Sequence, residues 1–449
     1  MRRSGRCARS SARRGLKAGE VPPALLERQA SEAGDFFAAP PTPGSALAQR
    51  LARIRALTYQ LCAPLSAEDA CAQSMPEASP AKWHFAHSTW FFETFVLQPH
   101  ARGYELFDES YGPLFNSSYH AIGKPFAREH RGLLTRPTLA EVIEYRIHVD
   151  AALGELLGAD PAPALAAMIE LAIQHEQQHQ ELLLTDIKHL FAQSPLRPAY
   201  QRLPLALAAP ASLRWVGHEG GIVEVGHVGA GFGFDHEKPR HQALLQPFEL
   251  ASRPVSNAEF RQFIADGGYR RPALWLADGW NTVLRCARDR PLYWSLDLGR
   301  EFTLNGEQLL DPHRPVCHLS YYEADAYARW AGARLPTEFE WEAVASRRPA
   351  SGQFLESREL HPRVLAAEGA PDIFGSVWAW TSSAYAPYPG YRPAPGPLGQ
   401  HDGKFMCGRM VLRGGSCATP RSHLRASYRN HLHADARWQF SGVRLARSL

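Results

Sequence analysis

The 449-residue chain lacks any C-x-x-C pair, carries little net charge (+4 at pH 7), and has no apolar run near the roughly 20 residues that cross a bilayer. Each absence excludes something. Its seven cysteines, odd in number and scattered, give neither a disulfide framework nor a zinc-ribbon spacing, and predict a reducing cytoplasm. Without a long apolar run, and with no apolar segment behind the Arg-rich start, neither a membrane anchor nor a signal peptide is expected. So small a charge over so long a chain argues against nucleic acid or an anionic membrane as partner, and leaves small molecules. With 45% hydrophobic residues there is more to bury than one compact core holds, which predicts two or three domains.

Residues 1–45 are rich in Arg, Ala and Pro and read as a disordered basic tail. From 46 to 193 the pattern is helical. Four apolar-periodic segments occur: Leu47, Leu51, Ile54, Thr58 and Leu61; Trp83, His87, Trp90 and Thr94; Leu139 to Leu157; and Leu165 to Phe191. Together with one long connection, Gln98 to Pro137, they predict a four-helix bundle. A Pro/Ala/Leu-rich stretch over 194–211 reads as a linker. From 212 to 449 Gly, Trp and short strand-like runs dominate. Three capping boxes punctuate this half, Ser256 with Glu259, Ser320 with Glu323 and Thr337 with Glu340, and an α+β domain is expected.

The fourth helical segment carries the chemistry. Its inward stripe reads Met168, Ala172, His175, His179, Leu183 and Leu190, so two imidazoles lie among apolar side chains. Buried without partners, such groups cost about 1–3 kcal/mol each. Residues four apart share a helical face, with Cβ atoms about 5–6 Å apart, close enough to hold one metal ion. The string H-E-Q-Q-H also fits the H-E-x-x-H of zinc peptidases, in which the Glu is general base. The metzincin continuation is missing, since Leu182 and Thr185 stand where Gly and His would follow. A better third ligand is His87, on the Trp83/Trp90 stripe of the second segment, whereas His84 points about 60° off that stripe. His84 is therefore expected at the surface or behind the ligands. Three imidazoles suit zinc and iron alike, and ligand type does not choose between them.

The motifs W-H-F-A-H-S-T-W-F-F-E (Trp83–Glu93), F-N-S-S-Y (Phe115–Tyr119), R-G-L-L-T-R-P-T (Arg131–Thr138) and H-E-Q-Q-H-Q-E (His175–Glu181) resemble the DinB-like domain of EgtB-type sulfoxide synthases of ergothioneine biosynthesis. The second half, through R-L-P-T-E-F-E-W-E (Arg334–Glu342), G-S-V-W-A-W-T (Gly375–Thr381), V-L-R-G-G-S-C (Val411–Cys417) and F-S-G-V-R-L-A (Phe440–Ala446), is similar to the formylglycine-generating-enzyme domain, a C-type-lectin-like fold. The resemblance implies an α+β, two-domain enzyme. It implies a mononuclear Fe(2+) held by His87, His175 and His179 that uses O2 to join the sulfur of cysteine or γ-glutamylcysteine to C2 of the hercynine imidazole, with oxidation to the sulfoxide.

By the same resemblance Gln178 and Asn430 contact hercynine, and Arg128 and Arg131 hold the carboxylate of the thiol substrate, a task suited to a guanidinium fork. Tyr119 is the expected proton donor to oxygen, with Tyr385, Tyr388 and Tyr391 in reserve. The chain departs from the pattern at Ser118, where relatives often have Tyr, after Asn430, and at Ser376 and Ala379, where Asn and Glu are common; the last pair weakens any calcium site. The alternatives are an ovothiol-type 5-histidylcysteine sulfoxide synthase, a zinc metallopeptidase, a formylglycine-generating oxidase, for which Cys417 lacks a downstream partner cysteine, and a non-catalytic lectin-like binding module.

Overall fold

The computed structural model describes residues 45–158, 160–365, 372–400 and 403–449. The expected basic tail lies outside the described residues, Ser45 excepted. The first half is built on four long helices, α1 (Ala46–Cys62), α2 (Ala81–Phe92), α3 (Leu139–Leu156) and α4 (Pro163–Gln193). Each start has a local cause. The Ser45 hydroxyl caps α1, Thr138 and Glu141 form a capping box on α3, and Pro163 opens α4 where a missing N–H costs nothing. Helix α4 packs on both α1 and α2, and α3 packs on α2.

In the second half the three expected capping boxes start α5 (Asn257–Ala265), α6 (Tyr321–Trp330) and α7 (Glu338–Ala345). A four-stranded sheet contains β1 (Trp378–Ala384), β2 (Arg409–Arg413), β3 (Asn430–His433) and β4 (Ser441–Gly442), in the order β3-β2-β1-β4. Within this sheet the β4–β1 pair is parallel and the other two pairs are antiparallel. Three further strands, Trp215–His218, Phe248–Ala251 and Ala446–Ser448, form a second sheet that ties the start of this half to its end. Just before β1, Ser376 takes a φ of +60°, a conformation Asn tolerates better, and its hydroxyl donates to the Arg363 carbonyl at 2.5 Å.

The two halves share buried surface. One apolar cluster runs from Leu51, Trp90 and Leu184 of the bundle to Phe302, Leu355, Cys417 and Phe440 of the second half. The stretch 194–211 has no helix or strand, yet it is laced down: the Tyr200 hydroxyl donates to the Leu61 carbonyl at 2.7 Å, and the Ala208 amide to Asp311 at 2.7 Å. Helix α4 is buried on three sides, with polar groups on each. Gln174, Gln177, Glu181 and Lys188 face the second half, Glu176 and Gln180 face α1, and His175, His179 and Asp186 face α2. No helix among the described residues is long and apolar enough to cross a membrane.

Candidate metal centre

Helix α2 presents His87 to His175 and His179 on α4. One nitrogen from each of the three rings falls within 4.8 Å of the others. The rings are held by aromatic faces. Trp83 stacks on His87 at 4.5 Å and 14°, and Phe91 on His175 at 4.0 Å and 20°. His87 Nδ1 lies 2.6 Å from the Phe115 carbonyl, which only accepts, so the proton sits on Nδ1 and Nε2 is a bare lone pair. That Nε2 is buried and has no hydrogen-bond partner among the described residues. Burial, then the neighbouring His175, hold the His87 pKa well below the ordinary histidine value, and the ring stays neutral, the form a metal takes. An orphaned lone pair facing two further imidazoles fits a metal ion.

His84 is not at the surface. The 60° offset from the stripe carries it into a second buried layer, 3% exposed, because α4 is close enough to cover that side of α2. Its Nε2 lies 2.9 Å from Asp186 Oδ2 and its Nδ1 2.9 Å from His179 Nδ1. Burial outweighs the pull of Asp186 and keeps its pKa below the ordinary value.

Glu176, the would-be general base of a peptidase, points away from the histidines into the α1 side. It accepts from Thr58 at 2.5 Å, from Arg55 at 2.9 Å and from Arg146. Burial alone pushes its carboxyl up, but Arg146 and Arg55 override that and hold it below the usual carboxylate range. A carboxylate so fully engaged is structural, and the peptidase reading loses its base.

Tyr119 is fully buried among Trp90, Phe91 and Phe95. The Asn of F-N-S-S-Y explains its placement: Asn116 accepts from the Tyr119 amide at 2.9 Å and donates to its carbonyl at 3.0 Å. Together with His175 it lines a cavity of about 800 Å³. The cavity's far wall comes from the second half, through Phe232, Phe234, Lys238 and Arg392. These four carry no sequence motif, and only the fold brings their loops to the cavity beside His175.

The other expected residues divide. Arg131 is buried, with its guanidinium 3.3 Å above the Trp83 ring and Nη1 donating to Ser79 Oγ at 2.9 Å. Burial and the nearby Arg128 push its pKa down to about 9, still protonated at neutral pH. Arg128 itself is exposed and donates to the Glu77 carbonyl. Gln178 is half-buried on α4, between the face toward α2 and the face toward the second half. Asn430 is half-buried on β3, and its side-chain oxygen accepts from the His431 amide at 2.8 Å. None of these four lines the cavity wall. Of the reserve tyrosines, Tyr385 stacks on His431 at 3.9 Å, Tyr388 donates to Glu338 at 3.3 Å and Tyr391 to Asp235 at 3.4 Å.

A three-histidine site in a helical bundle, walled by an α+β domain, defines a two-domain metal-dependent class, and sequence comparison gives the same division. Residues 50–183 match the DinB superfamily, and 214–368 with 359–449 match the sulfatase-modifying factor enzyme 1-like domain. The hercynine oxygenase of Mycobacterium tuberculosis is 33% identical over 429 residues, covering 89% of this chain and 98% of that one. The hercynine oxygenase of Mycolicibacterium thermoresistibile is 32% identical, covering 83% and 88%. Ergothioneine biosynthesis protein 1 of Schizosaccharomyces pombe is 29% identical, covering 48% and 28%. The chain belongs to the hercynine oxygenase family.

Proposed function

We propose that this enzyme is an Fe(II)- and O2-dependent sulfoxide synthase of ergothioneine biosynthesis, acting on hercynine and either cysteine or γ-glutamylcysteine. In the overall reaction the C2–H of the imidazole and the S–H of the thiol are lost, a C–S bond forms, one oxygen atom goes to sulfur, and the other leaves as water with the two hydrogens. The observation that carries the reading is the orphaned Nε2 of His87 facing His175 and His179, of which His175 also lines a cavity of about 800 Å³. An ion bound there supplies the Lewis acidity and redox chemistry that O2 activation requires.

The chain's own groups do the rest. Residues 46–193 hold the metal, residues 212–449 wall the cavity, and 194–211 join them. Phe91, Phe232 and Phe234 give the cavity apolar walls. Tyr119 gives or holds a proton beside His175, steering oxidation toward C–S bond formation rather than loss of the thiol alone. Arg131, a buried cation outside the cavity's lining whose Nε has no partner among the described residues, is assigned the thiol substrate's carboxylate on the family resemblance, with exposed Arg128 near it. Gln178 and Asn430, which stand outside the cavity's lining, are assigned to hercynine on the family resemblance alone. The six cysteines among the described residues are all free, which suits a reducing cytoplasm.

The test is mass spectrometry on the Fe(II)-loaded protein with hercynine, O2 and each thiol supplied separately. A sulfoxide-linked adduct with one of them is expected. No adduct with either thiol rejects the reading, and an adduct with histidine in place of hercynine gives the ovothiol-type reaction.

A further inference from the structure

We infer that Asp186 and His84 are positioning residues that fix the tautomer and ring orientation of His179, through a chain of two hydrogen bonds running Asp186–His84–His179. The inference rests on reading His87, His175 and His179 as metal ligands, and concerns what stands behind one of them.

The direction of each bond follows from the end of the chain. Asp186 Oδ2 already accepts the Ser79 amide at 2.8 Å, and a carboxylate only accepts. His84 Nε2, 2.9 Å from the same oxygen, must therefore carry its proton. A neutral imidazole then has a bare Nδ1, which at 2.9 Å from His179 Nδ1 must receive a proton from it. His179 is left protonated on Nδ1 and bare on Nε2. The ligand atom is thus chosen by a carboxylate two side chains away. On the other helix, the Phe115 carbonyl makes the same choice for His87 in a single bond. Such outer partners hold a ligand ring and raise its basicity, and losing one costs about 10- to 100-fold in metal affinity.

The relay is also braced. Ser79, whose amide donates to Asp186, accepts from Arg131 through its hydroxyl at 2.9 Å, and Arg131 lies on Trp83, which stacks on His87. The polar groups behind two ligands on different helices therefore meet at one serine.

The test is a Co(II) titration of the full-length, metal-free protein, read by d–d absorption, beside its thermal melting without metal. His84→Phe keeps the ring volume and removes both nitrogens; it should bind Co(II) about 10- to 100-fold more weakly. His84→Asn places an amide oxygen where Nδ1 stood and restores the acceptor for His179 without reaching Asp186. It should bind within about threefold of the wild type, with the wild-type spectrum. A His84→Phe affinity within about threefold of the wild type overturns the inference, as does a His84→Asn variant as weak as His84→Phe. If His84→Phe melts below the working temperature, His84→Leu, which also removes both nitrogens, takes its place under the same threshold. Failure of the wild type to bind one Co(II) rejects the metal reading itself, a distinct result that removes the relay with it.

Discussion

His175 and Glu176 are neighbours in the chain and belong to opposite kinds of site. Glu176 accepts on both oxygens from Arg55, Arg146 and Thr58, and Asp150 pairs with Arg55 as a second carboxylate, so that two guanidiniums face two carboxylates. The histidine face, one helical step away, is left with a buried lone pair on His87 and no carboxylate among the three rings. The same helix thus uses one set of polar residues to hold the bundle and another to hold something from outside. Polarity in a core does not by itself mark function. What sets the histidine face apart is that three imidazoles converge there, with the unprotonated Nε2 of His87 among them, a set that a metal ion would complete.

The largest expected effect breaks the incomplete set. His87→Ala should abolish stoichiometric Fe(II) binding, measured by metal analysis after gel filtration, while the metal-free protein stays folded. Breaking the matched charges around Glu176 should do the reverse. Glu176→Gln leaves two buried guanidiniums under-compensated and should lower stability by about 3–5 kcal/mol in urea unfolding, with the metal affinity of the folded fraction retained. If Glu176→Gln instead removed activity without loss of stability, the peptidase-like role would return. Tyr119→Phe should slow sulfoxide formation by about 100-fold and raise the share of thiol oxidised without hercynine, read from product ratios. An unchanged ratio would move the proton to a tyrosine of the second half.

The smallest effect concerns an ion pair outside the bundle. Burial alone raises the Glu237 carboxyl, but Arg425 and Ser427 override it and hold its pKa down to about 2. Because the folded pKa lies below the ordinary 4.5, the pair's stabilisation is complete above about pH 4.5 and is lost as pH falls toward 2. Arg425→Leu should flatten the fall in melting temperature across that window. A wild-type slope in the variant would mean that Glu237 gains nothing from the pair.

The helices and three capping boxes were legible because apolar period and cap chemistry are local. The pairing of His175 with His179 was legible for the same reason, being one turn of one helix. What lay beyond local pattern was distance between elements. Periodicity gave His84 its angle on α2 but not the closeness of α4, which turns an off-stripe position into a buried one. Asp186 follows His179 by seven residues on the same face, but the sequence alone did not single it out, because its partner His84 stands on another helix. Phe234, Lys238 and Arg392 come from loops with no repeat or motif, and only folding brings them to the cavity.

The clasp on Glu181 has a consequence of its own. This carboxylate sits two residues past His179 and receives Trp378 at 2.7 Å, Ser416 at 2.6 Å and Thr419 at 2.8 Å, all from the second half. With Gln177 bonded to Ser422 and Lys188 to His318, the ligand-bearing helix has lost its independence. Separating the halves would strip a carboxylate, a glutamine and a lysine of their partners at once. Calorimetry should therefore record one cooperative transition for the pair, and a bundle expressed alone should come apart along the helix that carries its ligands.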